Sequence, residues 1–270
     1  MWNIFGYSWE WQRRRPLVAA ELADIEPDVV ILHEARSARR PWEAGQSTPQ
    51  QIAGDTGIPL IEWIDAPTSH PTARMGPALL ARVPPANTTR VRLANRNSVD
   101  DLGFHEPWLL TTQWEIDGFR ATVATTHLPG SRLPAAQEVA VRSLAEALAP
   151  LPSESDLLLL IGDLNLRPGS PGLHRLMRAA NLESAPSLSV APPTHPTSNA
   201  MFNRAMLDSG STGRPRTPDE RPIRVDHALF HSPHRASLRI ADSGRFGTRH
   251  RTDDLFASDH WGLWVDLAVA

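Results

Sequence analysis

Short apolar runs separated by polar turns recur along the whole chain. Val29–Leu32, Ala78–Ala81, Trp108–Thr112, Ala121–Thr126, Leu157–Ile161, Val225–Phe230 and Gly262–Leu267 read as strands. Leu157–Ile161 is apolar at five successive positions, which predicts a strand covered on both faces. Three segments have helical spacing instead. Arg14–Ile25 places Leu17, Val18, Leu22 and Ile25 on one side, and Ala135–Leu148 is rich in Ala, Glu and Leu. Pro171–Ala180 begins with Pro171 at its first position behind a Ser170 cap, and Asn181 suits its end. Strands alternate with helices early, but later strands follow one another directly. That order predicts mixed sheets with helices packed outside, not a fully parallel sheet. Arg39–Gln50 and Pro192–Pro222 read as long loops.

The 270 residues, 41% of them hydrophobic, suffice for one large core, and a single domain over 1–270 is expected. The formal net charge of −3 gives no sign of broad electrostatic capture of nucleic acid, although a local basic patch would serve a nuclease. The chain has no Cys, which removes disulfides, thiolate metal sites and Cys nucleophiles. It also has no Lys, so all 27 basic residues are Arg. A phosphate clamp must therefore use Arg, His, backbone N–H or metal, and lysine-dependent phosphate loops and Schiff bases are excluded. No run approaches the roughly 20 apolar residues that a membrane-spanning helix needs. The first residues, Met1 to Gly6, lack the pattern of a secretory signal, so a cytoplasmic location is expected. Oligomeric state is not legible.

Acidic, amide and imidazole residues stand just beyond several of these strands. Glu34 follows Val29–Leu32, and Asp163 and Asn165 follow Leu157–Ile161 after Gly162. His127 closes Ala121–Thr126, Asp226 opens or interrupts a later strand, and Asp259 and His260 adjoin before the last one. Asn3 lies in the first apolar stretch. Taken alone, Asp163 and Asn165 are also what an ordinary turn contains. Together these residues offer oxygen ligands suited to a hard cation such as Mg²⁺ or Mn²⁺, and imidazoles for proton transfer. Hydrolysis of a phosphate ester needs that combination: charge neutralisation, an activated water and a stabilised leaving group.

The order of motifs resembles that of the endonuclease/exonuclease/phosphatase superfamily, which includes deoxyribonuclease-I-like nucleases, exonuclease-III-like repair enzymes, inositol-polyphosphate 5-phosphatases and neutral sphingomyelinases. The likeness rests on Trp2-Asn3-Ile4, His33-Glu34, Thr126-His127-Leu128, Gly162-Asp163-Leu164-Asn165, Arg224-Val225-Asp226 and Ser258-Asp259-His260. Gly76–Val83 also resembles a family segment, with Arg82 matching its Arg. The resemblance runs from Asn3 to Leu267. It implies an α/β (α+β) fold in four layers, two mixed β-sheets face to face with helices on both outer sides.

It further implies roles. Glu34 is the main metal ligand, with Asn3 and Asp259 near the ion. Asp163 orients or deprotonates the attacking water, and Asn165 hydrogen-bonds a phosphoryl oxygen. His260 contacts the scissile phosphate and is oriented by Asp226. His127 stabilises the pentacovalent phosphorus or protonates the leaving group. The expected reaction is metal-dependent hydrolysis of a phosphodiester, with a phosphomonoester of a sugar, inositol or nucleotide as the alternative. A non-catalytic binding module is disfavoured because the residue set is intact. The partner is a phosphate-ester substrate, with nucleic acid among the candidates.

The chain departs from the family where His33 stands for Gln and Leu164 for Phe. The stretches 193–224 and 238–258 are long and lie where substrate contacts are built. Arg36 and Arg39, beyond Glu34, and Arg249, ahead of Asp259, are candidate substrate contacts, and Arg245 belongs to the same basic group. Arg13-Arg14-Arg15 reads as a solvated helix start. Trp9, Trp11 and Trp42 sit in polar loops, where incidental packing is the plainer reading and stacking on a base or covering a lipid the alternatives.

Overall fold

A computed structural model describes residues 1–6, 10–37, 45–68, 74–93, 106–130, 133–185, 188, 194, 224–233, 238–248 and 255–269. Its elements are β1 (Trp2–Asn3), α1 (Trp11–Ile25), β2 (Val29–Arg36), α2 (Thr48–Thr56), β3 (Leu60–Trp63), β4 (Met75–Ala81), β5 (Asn87–Arg92), β6 (Trp108–Ile116), β7 (Phe119–Thr125), α3 (Pro134–Leu148), β8 (Leu157–Asp163), α4 (Pro171–Ala179), β9 (Glu183–Ser184), β10 (Asp226–His231), β11 (Leu238–Phe246) and β12 (Gly262–Val269). They form a four-stranded sheet ordered β1-β2-β4-β3, a six-stranded sheet ordered β5-β6-β7-β8-β10-β9, and the pair β11-β12. Both large sheets are mixed: β1 runs parallel to β2 and β7 parallel to β8, while the other pairs are antiparallel. Backbone bonds in both directions between Met1 and Leu263 tie β12 to the β1 edge of the first sheet.

The alternation of side chains along a strand sorts the core into layers. Ile31 and Leu79 of the first sheet meet Val123, Leu157, Leu159, Ile161 and Phe230 of the second in one buried cluster between the sheets. The opposite faces are equally apolar. Val30, Leu32 and Leu80 pack under Val18, Leu22 and Ile52 of α1 and α2. Leu158 and Leu160 pack under Val141, Leu144, Leu173 and Leu176 of α3 and α4. This gives the four layers that the resemblance implied, and β8 is buried at every position.

Several sequence expectations change. The stretch Arg39–Gln50 does not stay a loop to its end, because α2 begins at Thr48 behind a capping box in which Ser47 and Gln50 satisfy each other's backbone. α1 starts at Trp11, not Arg14, and Trp11 is buried with its Nε1 donating to Gln51 Oε1 at 2.8 Å. The long stretch 238–258 opens with strand β11, which runs to Phe246. Ser170 caps α4 as expected, accepting a bond from the Leu173 N–H at 3.3 Å. Among the described residues, no helix is long and apolar enough to cross a membrane.

Candidate active site

The site lies where the C-terminal ends of β2 and β8 meet the start of β10. In β2 the pairing with β4 slips between Leu32 and Ala35, and Glu34 adopts a left-handed backbone with φ 54°. Such a bulge re-aims a side chain that regular pleating would send elsewhere. Asn3 pairs in register with His33, and Asp226 stands opposite Asp163 across β8 and β10. Gly162 is required just before Asp163, since a Cβ there would meet Thr126 O at 2.3 Å. The end of β7 therefore approaches β8 closely, which carries His127 to the same rim.

Asp163 is the hub. Its Oδ2 accepts from Asn3 Nδ2 at 3.1 Å and lies 3.4 Å from His127 Nε2 and 3.9 Å from His260 Nε2. Its Oδ1 accepts the Asn165 N–H at 3.2 Å, and Asn165 itself has φ 51°, a conformation Asn tolerates. The Asn165 amide donates to Leu128 O at 2.9 Å, which leaves its second N–H for another acceptor. Asn3 also donates to Glu34 Oε1 at 3.2 Å, while its own Oδ1 accepts the Phe5 N–H. One amide thus bridges two buried carboxylates as a donor. His260 Nδ1 bonds Asp226 Oδ2 at 2.9 Å, and Asp226 is itself held by its N–H on Thr194 Oγ1. The Ser258-Asp259-His260 segment is pinned from below. Ser258 Oγ donates to Asn3 O, and Trp2 Nε1 donates to His260 O at 2.9 Å.

Asn3, Glu34, His127, Asp163, Asp226, Asp259 and His260 are buried, and Asn165 is half-buried. Burial and the neighbouring Asp226 push the Asp163 carboxyl up to about 7. Burial, with the charge of Glu34 adding, raises Asp259 to about 6. For His260 burial disfavours the cation, but the charge and hydrogen bond of Asp226 outweigh it and hold the imidazole well above its ordinary value. His127 goes the other way, lowered by burial to about 4. Burial works against the Glu34 carboxylate, yet Arg36, His127 and the Asn3 hydrogen bond keep it below its ordinary value.

The Glu34 side meets the requirements of a hard divalent cation. Glu34 Oε2 is buried without a hydrogen-bond partner among the described residues, and its ion pair with Arg36 is long, at 3.6 Å. Glu34 and Asp259 offer carboxylate oxygens, as Mg²⁺ and Mn²⁺ prefer, whereas Asn3 turns its N–H to Glu34 and its Oδ1 to the Phe5 N–H. Asp163, Asp226 and His260 also offer ligand atoms within 4.8 Å of one another. In that group His260 Nδ1 is bonded to Asp226, which leaves Nε2 as the imidazole's ligand atom.

Arg36 is half-buried beside Glu34, with its Nε on Met75 Sδ. Arg39 and Arg249 lie outside the described residues, as do Trp9 and Trp42. Arg245 stacks over Trp261 at 4.4 Å. Arg82 sits at the far end of β4, donating to Pro27 O, away from the rim.

The expectation of a solvated Arg13-Arg14-Arg15 fails at Arg14. That side chain is fully buried, donating to Ile4 O at 3.0 Å, Phe5 O at 2.7 Å and Ala257 O at 2.8 Å. It ties the segment after Asn3 to the segment before Asp259, directly under the site. The signal was present: Trp11, Arg14, Val18 and Leu22 are the buried residues of α1 and share its inner stripe.

Residues 2–260 match the family model described as Endonuclease/Exonuclease/phosphatase family. No sequence match is found among curated proteins. Solved structures with the same fold include an endonuclease/exonuclease/phosphatase from Beutenbergia cavernae DSM 12333, 24% identical with TM-score 0.57, the match covering 94% of this chain and 66% of that one. TDP2 of D. rerio complexed with single-strand DNA product is 17% identical with TM-score 0.70, covering 99% and 97%. The human Nocturnin catalytic domain with bound sulfate is 18% identical with TM-score 0.66, covering 100% and 93%. Motif order, fold and whole-length match agree, and the chain belongs to the endonuclease/exonuclease/phosphatase family of phosphoester hydrolases.

Proposed function

We propose that this chain hydrolyses a phosphodiester with the help of Mg²⁺ or Mn²⁺ held by Glu34, with Asp259 and Asn3 beside it. The observation that carries the reading is the convergence on Asp163. Asn3, His127 and His260, from segments far apart in the chain, all point a nitrogen at its Oδ2. A bound divalent ion would polarise the phosphoryl group and lower the charge barrier to attack. The Asp163 carboxylate, with its proton affinity raised into the neutral range, suits the task of taking a proton from water. Cationic His260, oriented by Asp226, presents Nε2 to a phosphoryl oxygen. Neutral His127 can stabilise the leaving-group side through an N–H hydrogen bond, and Asn165 has an N–H to spare for the phosphoryl group. Arg36 is placed to contact substrate beyond Glu34, and Arg39 and Arg249 are proposed for the same task.

The diester preference draws support from the D. rerio TDP2 structure, whose bound product is single-strand DNA, and the sulfate in Nocturnin is a tetrahedral anion of phosphate shape. The test is hydrolysis by metal-stripped protein, with Mg²⁺ or Mn²⁺ restored, of bis-(p-nitrophenyl) phosphate, plasmid DNA, RNA and a panel of monoesters. Turnover of diesters only when metal is restored is expected. Turnover of monoesters alone would replace the diester reading.

A further inference from the structure

His33, which stands where the resemblance expects Gln, is fully buried. Its two ring nitrogens do different work. The Asp163 backbone N–H donates to Nδ1 at 3.3 Å, so Nδ1 carries no proton. The proton is therefore on Nε2, which donates to Thr125 Oγ1 at 2.8 Å. The ring also lies parallel to that of His127, with an interplanar angle of 1° and centroids 5.8 Å apart. A Cβ at Gly162 would come within 3.2 Å of His33 Cε1, so the missing side chain leaves room for the ring.

We propose that His33 is a positioning residue for the reaction, a crosspiece from β2 that fixes the end of β8, and so Asp163, against the end of β7, and so His127. The inference rests on the function proposed above and deepens it. A residue serving only to fill space would need volume and nothing else. His33 instead makes two directional bonds, one to each of two neighbouring strands of the opposite sheet, at the backbone N–H of Asp163 itself and two residues before His127. Loss of either bond leaves the strand ends packed but free to shift by fractions of an ångström, which matters for a base and a hydrogen-bond donor that must act around one phosphoryl group. Gln also presents an acceptor and a donor on one planar group, which is how a His can stand in its place.

The test compares the full chain with His33→Leu and His33→Gln, using bis-(p-nitrophenyl) phosphate and Mg²⁺ for kinetics and Mn²⁺ for binding by electron paramagnetic resonance. His33→Leu is expected to lower kcat about 10- to 100-fold, as removal of groups that orient a site commonly does. KM and Mn²⁺ affinity should stay within about twofold, because Glu34 keeps its own contacts. His33→Gln should recover most of the lost kcat. Nitrogen-15 NMR of the wild-type imidazole at neutral pH should give a protonated Nε2 and a bare Nδ1. The inference is overturned by an unchanged kcat in His33→Leu, by equal losses in both variants, by a matching loss of Mn²⁺ affinity, or by a proton on Nδ1. If His33→Leu does not fold, the Gln variant and the tautomer decide. A wild type that hydrolyses no ester would remove the proposed function instead, and the tautomer would still decide whether His33 holds Asp163.

Discussion

Asp163 stands between two clusters that handle buried charge in opposite ways. On one side Asp226 and His260 form a closed pair: the imidazole is held cationic and its Nδ1 is bonded to the carboxylate at 2.9 Å. On the other side Glu34 and Asp259 bring two buried carboxyls together. There Asn3 supplies a neutral donor, Arg36 stands 3.6 Å from Glu34, and the hydrogen bonds of Arg14 to Ile4, Phe5 and Ala257 go to backbone carbonyls. The first cluster sets an imidazolium against a carboxylate, although Asp226 Oδ1 is without a hydrogen-bond partner among the described residues. The second keeps such an oxygen as well, Glu34 Oε2, beside a second carboxyl, Asp259, that burial and the charge of Glu34 raise to about 6. A cation paired with a carboxylate on one side, and two carboxyls together on the other, is the contrast that supports the proposed division into proton chemistry and metal chemistry.

The largest effect should follow from opening the metal side. Glu34→Ala is expected to lower kcat/KM about a thousandfold or more. Its melting temperature should be unchanged or higher, because a buried carboxylate is removed. Kinetics alongside calorimetry checks this, and a large loss of stability would mean that Glu34 is structural. The closed pair comes next. Asp226→Asn should lower kcat about a hundredfold or more, since an orienting carboxylate is lost. The group that raises His260 most is then gone while burial still lowers it, so the high-pH limb of the activity profile should move to lower pH.

Arg14→Gln should weaken Mn²⁺ binding about tenfold, because the segments carrying Asn3 and Asp259 lose their tie. The same change should cost about 3 kcal/mol of stability by leaving buried carbonyls without donors. Urea unfolding and metal titration read the two effects separately. The smallest effect lies outside both clusters. His227 donates to Leu166 O, and burial lowers it to about 4 from an ordinary 6.5. The folded state thus binds fewer protons, so its contribution is complete above pH 6.5 and fades as pH falls toward 4. His227→Gln should flatten that part of the stability profile by about 3 kcal/mol or less.

The layers were legible where burial is two-sided. β8 announces itself because no polar residue interrupts Leu157–Ile161, and the motif residues stand at strand ends that any sheet brings to a rim. β5 was not legible, since Asn87–Arg92 is a largely exposed edge strand whose polar residues carry no alternation. α2 hid in Thr-Pro-Gln-Gln-Ile-Ala-Gly-Asp-Thr, with a single large apolar residue to mark a face. Within the site, residue identities could be read but their partners could not. Nothing local distinguishes Arg14 from Arg13 and Arg15 except helical phase, and the bulge that turns Glu34 inward depends on pairing with β4. His33 showed only as a departure from Gln, because its partners Thr125 and Asp163 lie on the other sheet.

The division between the two clusters is tested most directly by growing crystals with Mn²⁺ and locating the ion by its anomalous scattering. The account predicts a peak coordinated by a Glu34 oxygen, with the His260–Asp226 bond intact. A peak ligated instead by His260 and Asp226, with Glu34 uninvolved, would contradict it.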